Sequence, residues 1–328
     1  MAEQNLKTGC GTLFTSPDME AQRKFLHSKD KRMTDKTTTV REAVQKFIHD
    51  GNYIGVGGFG GNRIPTAVLH EIVRQKRKNL GLAGHTATHD GQILAAGKCF
   101  DRCDIAYVVG LEARGLSKNT RQYFESGQVK VTEWTNAALS WRYKAAAMGI
   151  PFIPARSMLG TDTFKYSGAK EIMCPFTGQK LAALPALCPD VAVIHVPRSD
   201  IYGNCQIDGP LIADDDLAKA AKHVVITTER IIPHEDIRRD PNRTVIPFWC
   251  VDAVIEVPYG SYPANMPGEY FSDEDHLREW LGAEKDEATF NAFLEKYIFS
   301  CKDFNEYLAK CGGIDRIMKL RRIENLID

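Results

Sequence analysis

Between Gly55 and Pro65 the chain reads Gly-Val-Gly-Gly-Phe-Gly-Gly-Asn-Arg-Ile-Pro, five glycines around one phenylalanine. Glycine loses more backbone freedom on folding than any other residue. Such a run is therefore kept where the backbone needs positive φ or something must approach it closely. Its flanks restrict the fold further. Residues 39–48 carry Val40, Ala43, Val44, Phe47 and Ile48 on one helical face. Asp50-Gly51 turns the chain, Asn52 to Val56 reads as a strand, and Pro65 opens a second helix through Val73. The glycines thus form a loop at the carboxyl end of a strand, running into a helix. In open α/β sheets ligands collect at such places, where backbone N–H groups can receive an anion or oxyanion.

From residue 37 onward, helical stretches alternate with short β-rich runs. The runs are Asn52–Val56, Leu80–Ala83, Ile105–Val109, Gln128–Glu133, Phe152–Pro154, Val191–Pro197, His223–Thr227 and Ala253–Val257. Asn119–Glu125, Ala137–Ala147 and Asp214–Ala221 read as helices between them. This alternation predicts an α/β fold: an open, mainly parallel sheet with helices on both faces. Residues 155–190, rich in Pro, Gly and Cys, read as an inserted flap. Three parts follow: an N-terminal arm (1–36), an α/β core (37–262) and a helical C-terminal extension (263–328). The arm is polar, with a short helix near Pro17 to His27, and is expected to pack on a partner subunit or to stay disordered. In the extension, Glu274–Trp280, Glu287–Phe299 and Phe304–Lys310 read as helices expected to wrap the core or a neighbouring subunit.

Composition excludes several classes. The 328 residues hold 42 Lys plus Arg against 42 Asp plus Glu, so no broad basic surface exists for nucleic acid. No apolar run approaches a membrane span, and Met1-Ala2-Glu3-Gln4-Asn5 lacks the apolar core of a signal peptide. The nine cysteines, an odd number in a large chain, read as reduced thiols rather than a disulfide framework, which places the protein in the cytoplasm.

Gly55-x-Gly57-x-x-Gly60 matches the dinucleotide fingerprint, but the required context is missing. The next apolar run, Leu80-Gly81-Leu82-Ala83, ends in Gly84-His85 without the ribose-binding acid. No Gly-Lys-Ser/Thr follows, so a P-loop is excluded. A plain glycine turn that lets a helix pack on a sheet stays open. Asp50-Gly51, the short strand, Gly57-Gly58-Phe59 and Pro65 together resemble the N-terminal motif of family I coenzyme A transferases, in their α (A) subunit. That family usually has a third apolar residue where this chain has Gly55, and a Gly where it has Arg63. The variant Arg63-Ile64-Pro65 resembles the glutaconate CoA-transferase branch. Tyr123 to Gly127, Ala145 to Pro154, Asp190 to His195, Glu235 to Pro241, Val251 to Val254 and Pro258 to Gly260 extend the resemblance over roughly residues 37–320.

The resemblance implies the CoA-transferase α-subunit type of fold and a covalent mechanism. A glutamate attacks the thioester, and the mixed anhydride becomes a glutamyl-CoA thioester that an acceptor carboxylate then reverses, in ping-pong fashion. In the family this glutamate sits on the β (B) half, typically within a Ser-Glu-Asn-Gly or Glu-x-Gly stretch, and this chain is read as offering neither. Glu112, in Gly110-Leu111-Glu112-Ala113-Arg114-Gly115, is not that motif. The chain is therefore expected to be half an enzyme. It needs a β-type subunit (an α2β2 assembly or larger), takes a CoA thioester as substrate and a small, possibly dicarboxylic, acid as acceptor, and holds no permanent cofactor. Gly57, Gly58, Phe59 and Gly60 are expected to shape the oxyanion wall, and Arg63 to fork onto an acyl carboxylate. His85, Thr86, Thr88, His89, Glu112 and Asn136 are candidate substrate-lining residues, Asn136 also reading as a helix N-cap. His85, His89 and Asp90 do not read as a metal site, because that stretch is not helical in the sequence pattern. The rivals are the same heteromeric fold used for CoA-thioester hydrolysis, decarboxylation or ring opening, and a non-catalytic metabolite-binding module.

Overall fold

The structure is a computed structural model and describes residues 5–108, 110 and 114–327. Twelve strands carry it: β1 (Tyr53–Val56), β2 (Leu80–Gly84), β3 (Phe100–Ile105), β4 (Lys130–Glu133), β5 (Phe152–Ala155), β6 (Lys170–Met173), β7 (Lys180–Pro185), β8 (Val191–Ser199), β9 (Cys205–Gln206), β10 (His223–Ile231), β11 (Thr244–Ile246) and β12 (Ala253–Glu256). In the main, nine-stranded sheet, the parallel strands run in the spatial order β4-β3-β2-β1-β8-β10-β12. Short β9 and β11 pair antiparallel beyond the end of β1. The third strand lies earlier than its sequence pattern suggested: it ends at Ile105, and Val109 falls outside the described residues.

Alternate residues of a strand face opposite sides, so the sheet carries two cores. Ile54, Val56, Val191 and Val193 point to one side, and Tyr53, Ala192 and Ile194 to the other. Helices Val40–Phe47, Thr66–Arg74 and His89–Ala96 cover the first face, together with Trp280, Phe293, Tyr297, Tyr307 and Leu320 of the C-terminal helices. Helices Asn136–Ala147 and Asp214–Ala220 cover the second through Leu139, Tyr143 and Leu217. Local chemistry explains the helix starts. Thr39 and Glu42 form a reciprocal capping box, while Ser117 and Thr135 cap the helices that follow them. Pro65 stands at the N-cap, one place before the helix it was expected to open.

Three segments differ from the sequence reading. The expected flap at 155–190 includes most of a three-stranded antiparallel sheet, β5-β7-β6. Residues 89–96 are helical, although the motif around His85 and His89 read as a loop. A further helix, Gly313–Glu324, closes the extension. The arm lies on its own chain: Thr8 bridges Lys170, the Gln22 amide donates to the Ala220 carbonyl at 2.8 Å, and Lys29 pairs with Asp252 at 2.7 Å.

The strand order positions the site. From β1 the chain winds through β2, β3 and β4 in one direction, whereas from β8 it winds through β10 to β12 in the other. Between the carboxyl ends of β1 and β8 lies a topological switch point, the crevice where open α/β sheets bind ligands. The glycine loop leaves β1 there, and the Gly57 N–H extends the pairing to the Val193 carbonyl at 2.8 Å.

Candidate active site

The loop's shape explains its glycines. A Cβ at Gly57 would stand 2.6 Å from Asp214 Oδ1 and 2.9 Å from Ile194, and one at Gly58, where φ is +83°, would stand 2.3 Å from the Asn62 carbonyl. Only glycine fits either place. The folded loop uses most of its own donors. Gly58 N–H donates to Asp214 Oδ1 at 2.7 Å, Phe59 N–H to the Asn62 carbonyl at 3.1 Å and Gly60 N–H to the Thr86 carbonyl at 3.2 Å. The oxyanion donors expected at Gly57, Gly58, Phe59 and Gly60 are thus already engaged. Gly61 differs, since its N–H has no partner among the described residues.

Arg63 departs most from expectation. Its side chain is fully buried, with φ at +53°, and its guanidinium pairs with Asp214 on the first turn of Asp214–Ala220. Closed off from the surface, it has no access to a substrate carboxylate. One Asp214 carboxylate instead ties the glycine loop at Gly58 and the loop's exit at Arg63. Burial pushes the Asp214 carboxyl above its usual range, and the Arg63 charge pulls it back. A third segment completes the clamp: the Arg63 N–H donates to the Asn265 carbonyl, and the Asn265 N–H to the Gly61 carbonyl, both at 2.9 Å. That segment is anchored by buried Glu229, which accepts from Tyr270 Oη at 2.6 Å and Tyr259 N–H at 2.6 Å and contacts His195 Nε2 at 2.8 Å.

The loop after β2 packs against the glycine loop. The Thr88 hydroxyl donates to the Gly60 carbonyl at 2.6 Å, and Thr86 holds φ at +51°, a costly conformation for a β-branched residue. Among the described residues its buried hydroxyl has no partner. The His85 ring lies 5.4 Å from that of Phe59, and its Nε2 meets the Ser140 hydroxyl at 2.7 Å and the Asn136 carbonyl at 3.1 Å. A carbonyl only accepts, so this contact selects the tautomer protonated at Nε2. Burial brings the His85 pKa down to about 4, leaving the ring neutral near pH 7.

The structure therefore brings Gly57, Gly58, Phe59, Gly60, His85, Thr86 and Thr88 together. Asn136 joins them through its backbone; Thr135, not Asn136, is the N-cap. His89 is turned elsewhere, its ring packed edge-on to Trp280 at 4.8 Å between centroids. Glu112 lies outside the described residues. Among those described, no group of three His, Cys, Asp or Glu side chains could hold a metal ion. Contrary to that reading, one Glu-x-Gly sequence does occur, Glu125-Ser126-Gly127, but it ends a helix, where Glu125 is exposed and paired with Arg121 at 2.7 Å. Asp214, Ser140 and Arg114 were not foreseen. Asp214 opens an Asp214-Asp215-Asp216 run that reads as ordinary acidic charge at a helix start.

Residues 37–257 match the sequence profile of the coenzyme A transferase family. The chain belongs to this family. It is 33% identical over 316 residues to the α (A) subunit of glutaconate CoA-transferase from Acidaminococcus fermentans, covering 89% of this chain and 96% of the relative. It is 36% identical over 276 residues to the α (A) subunit of 3-oxoadipate CoA-transferase from Pseudomonas knackmussii, covering 83% and 96%. The crystal structure of glutaconate coenzyme A-transferase from A. fermentans superposes with a TM-score of 0.83, over 87% of this chain and 95% of that one. The chain is thus an α (A) subunit of the CoA-transferase type, part of an enzyme whose substrates are CoA thioesters. Among the described residues no helix is long and apolar enough to cross a membrane. Within the coenzyme A transferase match fall the glycine loop, Asp214 and the His85 loop, while Asn265, which completes the clamp, lies beyond it.

Proposed function

We propose that this chain is the α half of a heteromeric CoA transferase. It moves CoA between an acyl-CoA and a small carboxylic acid, ping-pong, through a glutamyl-CoA thioester on a β-type partner. One observation carries the reading: among the described residues, the glycine loop is a braced wall with no free carboxylate to act as nucleophile. Asp214, the carboxylate that touches its residues, is held by Arg63, and Glu274, one step farther out, is held by Arg114. A partner glutamate adds to the thioester carbonyl facing this wall, the thiolate leaves, and the mixed anhydride forms. The thiolate then attacks the glutamyl carbonyl and releases the first acid; the acceptor acid reverses both steps. Phe59 and neutral His85 line the acyl side. The braced backbone keeps the wall's shape as charge moves between oxygens, so little reorganisation is needed. The test is co-expression with the adjacent β-type subunit, incubation with acyl-CoA and borohydride trapping. A mass change on one partner glutamate is expected. Turnover with no glutamate labelled would overturn the covalent route.

A further inference from the structure

If a dicarboxylic acyl chain lies on this wall, its far carboxylate needs a receptor, and Arg63 is sealed away from it. We propose that Arg114, with the Gly61 N–H, is an anion receptor for that second carboxylate. This rests on the reading above and names its substrate class. Arg114 reaches the loop tip: its Nη2 and Nη1 lie 3.7 and 3.8 Å from where a Cβ on Gly61 would stand. Glu274 grips the guanidinium on two sides, at 2.7 Å from Nε and 2.6 Å from Nη2, with Ser272 Oγ at 3.5 Å from Nη2. Nη1 has no partner among the described residues, and the side chain keeps 16% of its exposure where Arg63 keeps none.

The backbone half of the receptor is equally fixed. Gly61 N–H shares a peptide plane with the Gly60 carbonyl, which the Thr88 hydroxyl holds at 2.6 Å. Its trans geometry aims the N–H away from that oxygen. The Asn265 N–H holds the following peptide at 2.9 Å. A planar fork beside an oriented N–H suits a carboxylate, and glycine at 61 leaves it room. Glu274 keeps its own charge, since the hydrogen bond from Arg114 lowers its pKa. An arriving carboxylate shares the cation with it, so the receptor is selective without being tight.

The test uses the complex with its β-type partner and two five-carbon probes, glutarate and pentanoate, their affinities measured by calorimetric titration. The wild type should bind glutarate roughly tenfold more tightly, in line with a gained charge-assisted hydrogen bond. Arg114→Gln should abolish the preference while pentanoate binding stays within twofold. Gly61→Ala, which keeps the charge and places a methyl at ordinary contact distance from the guanidinium, should reduce it. Equal affinities in the wild type overturn the proposal. A preference unchanged in folded Arg114→Gln, or unchanged in Gly61→Ala should Arg114→Gln not fold, does so as well. Binding is read without turnover. A complex that binds glutarate through Arg114 but forms no glutamyl-CoA thioester refutes the transfer reaction alone. One that transfers CoA with Arg114 silent refutes the receptor alone.

Discussion

Among the described residues two arginine–aspartate pairs are fully buried, and they are built differently. Arg142 and Asp104, under the second face of the sheet, sit in a crowd of partners. Arg142 donates to Asp104 at 2.7 Å and the Pro185 carbonyl at 2.9 Å, with its guanidinium 3.9 Å from the Trp134 ring centre. Asp104 also accepts from Trp134 Nε1 and the Tyr53 hydroxyl. Arg63 and Asp214 have a thinner setting: among the described residues Arg63 leaves both Nε and Nη1 unpartnered, where Arg142 leaves Nη2 alone, and its backbone stands at φ +53°. The first pair disperses its charges and ties four elements of the fold. The second leaves more of its donors unsatisfied, and holds one loop in one shape. Strain and orphaned donors gathered at a ligand crevice point from structure toward function.

Asp104→Ala should have the largest effect. It strips Arg142 of its counter-charge and two further donors of their acceptor, and should cost about 4 kcal/mol in chemical denaturation. Arg63→Met should be milder on stability, about 2 kcal/mol, because Asp214, already raised in pKa, can take a proton once the cation is gone. Its mark should be on turnover: CoA transfer should fall roughly a hundredfold, equally for mono- and dicarboxylic acids, since a displaced wall misplaces every substrate. A loss confined to dicarboxylic acids would restore Arg63 as a substrate clamp and erase the contrast between the pairs.

Beside the second pair, His85 offers a pH test. The folded chain holds it neutral down to about pH 4, while the unfolded chain protonates near 6.5. Below pH 6.5 the unfolded state takes up a proton that the folded state refuses, so stability falls with pH. The His85 share is about 2 kcal/mol at pH 5. His85→Gln should flatten that part of a denaturation series; an unchanged slope would show the ring titrating normally. The smallest effect belongs to Thr86→Gly. Relief of its positive φ should hold the stability change within about 1 kcal/mol, while CoA transfer drops as the Gly60 acceptor loosens. Full activity in this variant would show the strain at Thr86 to be incidental.

Where the chemistry was local, the sequence was readable. Thr39 and Glu42 bracket a helix of clear amphipathic spacing, and the apolar run of β8 announces a central strand. Helix His89–Ala96 escaped because its residues from His89 to Ala95 are all buried, leaving no polar stripe, and its N-cap Thr88 forms no side-chain cap bond. Of the β5-β7-β6 sheet only β5 was read as a strand; β6 and β7 escaped because they are short and carry Lys, Glu and Pro. At the site, glycines and small hydroxyl residues marked the place correctly, because a tight loop needs those residue types. Arg63 misled, because its partner is Asp214, 151 positions away. A charge reads as surface charge until the fold supplies its counter-ion. Arg114 gave no signal for the same reason, since Glu274 is 160 positions downstream.

The N-terminal segment has a consequence for how the chain is made. Val254 N–H donates to the Lys36 carbonyl, Thr38 N–H to the Val254 carbonyl and Lys36 N–H to the Ile201 carbonyl. Residues 36–38 therefore wait for nearly the last strand of the sheet before they can dock, whereas Thr8 to Gly11 find their partners earlier, at residues 165–170. Central β1 likewise waits for β8, its neighbour at the switch point, while β2 to β4 are already complete. During synthesis the glycine loop remains shapeless until Asp214 and Asn265 have emerged. A chain shorter than this carries no working wall, and the site matures only once the segment through Asn265 is in place.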